Sequence, residues 1–296
     1  MKILSPLTKT DDISFVQSLD IARLVDQYKK ILNLDVSSYF KGIDQISVYI
    51  DNQTGYKFYH PFDISGDASF YEFLQQFEFY YNAWKWEHET AYMYIKENTD
   101  LLEVGCAKGD FLQKIRTEKK VNVKGLELNP KAIEAARNMG LDVQSIMVEE
   151  YAKKNIQQLD VVCSFQVLEH VVEVQEFLQA KIDCLKVGGR LIICVPNNNS
   201  FLKDEYNILN MPPHHVGLWN SKSLESLTKI YPLKMIATHY EPLQEPHLKR
   251  FKLLVLGNLK RFGIPIRISK CFWPLILKCF TKTYKSFNIL CVYEKK

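Results

Sequence analysis

From residue 101 onward, short apolar runs alternate with amphipathic ones. LLEV (101–104), LDVVCSF (159–165) and GRLIICVP (189–196) are nearly continuous apolar stretches, the pattern of strands covered on both faces. VKGLEL (123–128) and DVQSI (142–146) read as two more strands. Between them the period changes to that of helices. One spans 110–117; another opens at Asn129-Pro130 and ends at Gly140, with proline in its first turn and glycine just past its end. In 173–185, Val174, Phe177, Leu178, Ile182 and Leu185 form one stripe. A helix over 221–230 and the strands KMIATHY and FNILCVYE complete the series.

Such βα alternation predicts a Rossmann-like α/β fold: a doubly wound, mostly parallel sheet with an antiparallel last strand, binding ligands at the C-terminal strand ends. Upstream, a helix is expected over Leu19–Leu32, and ISVYI and YKFYH, joined by DNQTG, read as a hairpin. The aromatic-rich stretch 67–98 is expected to be helical. The predicted organisation is a small α+β appendage on the substrate side (1–66) and one domain (67–296) carrying a helical insertion, 248–285, before the last strand.

The turn after LLEV decides what the sheet binds. A dinucleotide fingerprint needs glycines in the pattern G-x-G-x-x-G, but reading from Gly105 the later positions hold Ala107 and Asp110. Asp110 would set a negative charge where a pyrophosphate should sit, which disfavours a dehydrogenase. No P-loop pattern occurs either. What remains is an acid, Glu103, followed by small residues at 105, 107 and 109, which suits a cationic, phosphate-free ligand.

With Glu103-Val104-Gly105-Cys106-Ala107-Lys108-Gly109 standing for E/D-x-G-x-G-x-G, the chain resembles the class I S-adenosylmethionine-dependent methyltransferases. Glu127 in GLELNP, SFQVLEHV (164–171) and LKVGGRLIICVPN (185–197) continue the resemblance in order. It implies that S-adenosyl-L-methionine, and its product S-adenosyl-L-homocysteine, lie against Glu103, Gly105, Ala107, Gly109, Glu127 and Leu128. Met147 and Val148 would lie near the adenine, with Phe165 and Gln166 below the cleft and Tyr81 and Trp84 closing over the donor. Aromatic faces also attract a sulfonium.

Methyl transfer is an in-line displacement in which the enzyme mainly positions donor and acceptor. A hydroxyl acceptor must also lose a proton, so a base or a metal is expected. The candidate bases are His170, in QVLEHV, and His214 and His215, in NMPPHHVGLWN. On an extended backbone the adjacent pair would point opposite ways, leaving one to face the substrate. No metal-ligand spacing is evident, and the metal requirement stays open.

The combination YYNAWKWEH, QVLEHV and PPHHVGLW resembles methyltransferases of bacterial surface glycans and sugars. That implies O-methylation of a sugar or glycan hydroxyl, with a small natural product or quinone-like lipid as the alternative acceptor. A SAM-binding scaffold without turnover is the non-enzyme alternative. The seven cysteines show no C-x-x-C pair and lie largely in apolar runs, which fits core thiols in a reducing compartment. MKILSPLTKTDD lacks a signal-peptide stretch, so a cytoplasmic location is expected. Net charge is +4, but 248–285 holds ten Lys/Arg and no Asp or Glu, leaving 28 basic residues against 34 acidic ones elsewhere. The core is therefore not a nucleic-acid surface. The apolar-basic insertion is expected to suit an anionic membrane face or an acidic acceptor.

Overall fold

The computed structural model describes residues 2–74, 76–77, 84–203, 205–243, 248, 250–253 and 287–296. Nearly all of the 248–285 insertion, and with it the expected membrane face, lies outside the described residues, as does Tyr81. No helix among the described residues is long and apolar enough to cross a membrane.

The N-terminal part opens with β1 (Ile13–Leu19) and α1 (Ile21–Leu32). The Asp20 side chain caps α1 by accepting from the Arg23 N–H, and Asn33 ends it in the left-handed region. Next come β2 (Ile46–Asp51) and β3 (Lys57–His60), the antiparallel hairpin read from the sequence. The strand β1 was not expected. Five of its seven positions are exposed, so no apolar alternation marks it. The continuous helix expected over 67–98 is instead two short ones, α2 (Ala68–Leu74) and α3 (Trp86–Tyr92). Lys85 holds an extended conformation and restarts the helix.

Then follows the βα series: β4 (Asp100–Val104), α4 (Asp110–Lys119), β5 (Asn122–Leu126), α5 (Pro130–Asn138), β6 (Asp142–Gln144), α6 (Val148–Ala152), β7 (Leu159–Phe165), α7 (Val174–Cys184) and β8 (Leu185–Pro196). The short β9 (Gly217–Leu218) precedes α8 (Ser221–Ile230), β10 (Leu233–Tyr240) and β11 (Asn288–Lys295). Asn129 caps α5 through the Lys131 and Ala132 N–H groups, ahead of Pro130 at its first position.

The main sheet runs β10-β11-β8-β7-β4-β5-β6. Pairs from β8 across to β6 are parallel; β11 lies antiparallel between β8 and β10. Strand alternation sends Leu191, Ile193, Ile289 and Cys291 into one core with α7 and α8, and Ile192, Cys194, Leu290 and Val292 into another with α4 and α5. A smaller sheet, β1-β2-β3-β9, packs on α1 and α2. Because β9 belongs to it, the loop from 197 to 216 is pinned between the two sheets, over the C-terminal ends of β7 and β8.

Candidate functional site

The turn after β4 requires a left-handed backbone at three alternate residues: Gly105 (φ +76°), Ala107 (+47°) and Gly109 (+85°). The N–H groups of Gly105 and Cys106 both donate to the Leu126 carbonyl, tying the turn to β5. A Cβ on Gly105 would stand 2.5 Å from Val167 Cγ2, and one on Gly109 2.4 Å from Leu141 Cδ1. The glycines therefore serve both conformation and close approach. Gly109→Ala is expected to cost about 1–3 kcal/mol by overpacking, read as a lower urea midpoint with an unchanged slope.

Glu127 directly follows β5. One carboxylate oxygen accepts from the Ala107 N–H at 2.9 Å, and the other from the Leu128 and Asn129 N–H groups at 2.8 and 2.9 Å. It thus holds the turn while keeping lone-pair capacity for a ligand. Beyond the ends of β5 and β6, Leu128 and Met147 are large apolar side chains more than half exposed, while Val148 is buried in the core. Gln166, in the left-handed region, bonds its N–H to the Cys194 carbonyl across the ends of β7 and β8. Phe165 packs edge-on against His88 and Phe111. Trp84 stacks on Phe111, carries the Lys114 ammonium 3.7 Å above its ring and donates its indole N–H to Glu89. It therefore lies on the outer flank of α4.

Three carboxyl groups are buried around this cleft: Glu87, Glu103 and Glu169. Burial first, then the neighbouring Glu127 and Asp110, raises the Glu103 pKa well above the usual carboxylate range, and Lys85 opposes the rise. Burial likewise raises Glu87, and pushes Glu169 to about 8 with the help of Glu87. One oxygen of Glu103 and both oxygens of Glu169 have no hydrogen-bond partner among the described residues. Buried acids without donors are costly, and a cation in the cleft offsets that cost. A ligand carrying a sulfonium and an ammonium fits such a cleft; a pyrophosphate does not.

The three candidate histidines come together. His170 ends a 3-10 turn, Leu168–His170, beyond β7; its N–H bonds the Val167 carbonyl, and Val167 abuts Gly105. The ring centroid of His170 lies 4.9 Å from that of His214 and 4.8 Å from that of His215. His214 and His215 do not diverge as an extended backbone would have them; their rings stack at 4.3 Å and 24°. The reason is a turn: the Met211 carbonyl accepts from both of their N–H groups. Three tyrosines hold this loop, Tyr28 donating to the Ile208 carbonyl, Tyr59 to Asn210 and Tyr71 to His214. Burial lowers the histidine pKa values, to about 4 for His170 and about 3 for His214, and holds His215 well below the usual imidazole range. All three are neutral at pH 7.

Sequence reasoning missed Glu87, Glu169 and Tyr71. Glu169 stands inside the quoted SFQVLEHV, and a lone acid in an apolar string is the signal that was available.

A Rossmann-like cleft that offers carboxylates and a tight small-residue turn, instead of phosphate-binding amides, is the cleft of an S-adenosyl-L-methionine-dependent methyltransferase. The chain belongs to the methyltransferase domain family, whose model matches residues 77–250. Among curated proteins it is similar to the ubiquinone biosynthesis O-methyltransferase of Salmonella arizonae, 32% identical over 105 residues, which is 33% of this chain and 43% of that protein. The Salmonella typhimurium counterpart is 31% identical over the same coverage. The matched stretch thus spans less than half the length of these relatives. Two solved structures share the fold: a SAM-dependent methyltransferase from Archaeoglobus fulgidus (17% identity, TM-score 0.54, 76% of this chain and all of that one), and a Haloferax volcanii complex of the Trm112 methyltransferase activator with a methyltransferase (14%, 0.51, 71% and 89%).

Proposed function

We propose that this methyltransferase O-methylates a hydroxyl group, and that the acceptor is a sugar or glycan. The observation that carries the O-methyl reading is the cluster of three histidines beyond β7 and β8. It is joined to the cofactor turn through Val167 and roofed by the 197–216 loop. An amine acceptor, once neutral, attacks with a free lone pair and needs no such group. A hydroxyl needs its proton removed or its oxygen polarised.

S-adenosyl-L-methionine supplies the methyl group, on a sulfur that leaves uncharged. The chain's own residues do the rest. In this reading the 105–109 turn gives the ligand's backbone close approach, Glu127 accepts from ribose hydroxyls, and Leu128 with Met147 flanks the adenine. Glu103 and Glu169 balance positive charge. Trp84, on the flank of α4, shapes the cleft through Phe111. The histidines surround the acceptor oxygen and help it shed its proton.

The similarity to ubiquinone biosynthesis O-methyltransferases favours a second acceptor class, a phenolic precursor of a quinone-like lipid. A phenol is far more acidic than a sugar hydroxyl and makes smaller demands on the base. Mass spectrometry separates the two readings. The chain is supplied with S-adenosyl-L-methionine and, in parallel, nucleotide sugars, oligosaccharides, catechols and amines. A single-methyl mass gain on a sugar, lost upon demethylating ether cleavage, is the expected result. Gain on catechols alone moves the acceptor to the phenolic class, and gain on amines alone overturns O-methylation. In either O-methyl case, the N-terminal segment 1–66 is read as the substrate-side appendage, and the location as cytoplasmic.

A further inference from the structure

We propose that His170, His214 and His215 form a binding site for one divalent transition-metal ion of the zinc class. The role assigned to the ion, holding the acceptor oxygen, rests on the O-methyl reading above; the site itself does not.

The first support is proximity without solvent. One ring nitrogen of each histidine lies within 4.8 Å of those of the other two, and the three side chains are buried or nearly so. A tetrahedral ion with Zn–N bonds of ~2.0–2.1 Å needs its nitrogens roughly 3.4 Å apart. Binding therefore draws the three nitrogens together by up to about 1.4 Å.

The second is tautomer control. His170 Nδ1 lies 2.7 Å from the His214 carbonyl oxygen, His214 Nδ1 2.8 Å from the Leu209 carbonyl oxygen, and His215 Nδ1 3.0 Å from Asn210 Oδ1. Asn210 is oriented by its own amide, which donates to Asn198. The two carbonyl oxygens and Asn210 Oδ1 can only accept, so each Nδ1 carries the hydrogen; the Tyr71 hydroxyl, 3.1 Å from His170 Nδ1, donates to the His214 carbonyl. The lone pair is thereby placed on Nε2 in all three rings. Fixing one ring nitrogen on a carbonyl so that the other can ligate is how metal-binding histidines are held.

The third is an adjacent, uncompensated carboxylate. Glu169 is 1% exposed, its Oε1 stands 3.9 Å from His170 Nε2, and neither of its oxygens has a hydrogen-bond partner among the described residues. The acid group beside the three imidazoles is therefore Glu169, buried and with unpartnered oxygens facing the cluster's edge. Imidazole-rich sites take zinc, iron, cobalt or nickel, not magnesium, which prefers oxygen. Three histidine ligands also leave a position open, as in catalytic zinc sites. An acceptor hydroxyl in that position loses its proton to water more readily, its oxygen keeping the electron pair.

The test uses the full chain, stripped with a chelator and then titrated with Zn2+ or Co2+. The expected result is one ion per chain by elemental analysis, visible Co2+ absorption of a low-coordinate nitrogen site, and a higher melting temperature with Zn2+. Each of His170→Ala, His214→Ala and His215→Ala is expected to weaken Co2+ binding by at least about 10–100-fold, whereas His60→Ala, outside the cluster, leaves it unchanged. Wild-type chain that retains no stoichiometric ion and gives no visible Co2+ bands overturns the site, whatever the variants do. If stripped enzyme keeps full turnover on a hydroxyl acceptor, the ion's role falls while O-methylation stands. Chain that binds Co2+ through the histidines yet methylates only amines retains the site and overturns the O-methyl reading.

Discussion

Replacing His214 and His215 together by alanine is expected to lower turnover on the true acceptor by about 10²–10⁴-fold, the usual loss when a proton-accepting group is removed. Affinity for S-adenosyl-L-methionine should not change, because Glu103 lies on β4 and the 105–109 turn is held by the Leu126 carbonyl and Glu127, beside β5. The two measurements must be made on the same preparation. A double variant that binds the donor normally and has lost turnover places the pair on the acceptor side. One that keeps wild-type turnover removes both histidines from the chemistry and leaves His170. One that loses donor binding as well reports a collapsed loop; His170→Asn then isolates the cluster, since it removes a ring nitrogen without emptying the loop.

Glu103→Gln is expected to pull stability and binding in opposite directions. In the ligand-free chain Glu103 is buried, close to Glu127 and Asp110, and its pKa is raised. Its unfolded counterpart ionises in the ordinary carboxylate range. Between those two values the unfolded chain binds fewer protons than the folded one, so this residue's contribution to stability falls as pH rises. Glutamine removes that contribution. The variant should therefore gain stability over wild type progressively as pH rises above the ordinary carboxylate range, measured by urea unfolding without ligand. The same change removes a charged partner for the cation. At roughly 1.5–3 kcal/mol for a hydrogen bond to a charged group, affinity for the donor should fall about tenfold or more, read by calorimetry. A variant whose stability relative to wild type is flat with pH would show that Glu103 is not held neutral by its surroundings. Unchanged affinity would remove Glu103 from the donor site.

Much of this was visible in the sequence, for physical reasons that also explain the gaps. The strands β4, β7 and β8 are covered on both faces, so burial writes itself as unbroken apolar runs, and the glycines at 105 and 109 follow from a turn no larger residue can make. By contrast, β1 shows most of its side chains to solvent and is held by pairing with β2, which leaves no local trace. The arrangement of His214 and His215 depended on a backbone turn closed by the Met211 carbonyl, which their neighbours in sequence do not announce. Glu169 is buried although nothing in its local sequence announces what covers it. The sequence grouped the three histidines by candidate role; only the fold put them within one another's reach.

The tyrosine grip on the 208–214 loop divides the molecule's inheritance. Tyr28, Tyr59 and Tyr71 all come from the first quarter of the chain, yet they fasten carbonyls some 140 to 180 residues later, on the loop that carries two of the three histidines. The cofactor turn is tied to the Leu126 carbonyl and the Glu127 carboxylate. A chimera that exchanges residues 1–74 for those of another methyltransferase would keep the donor pocket whole and lose the histidine geometry. If the histidines serve the acceptor, exchanging residues 1–74 is expected to change acceptor preference before donor affinity.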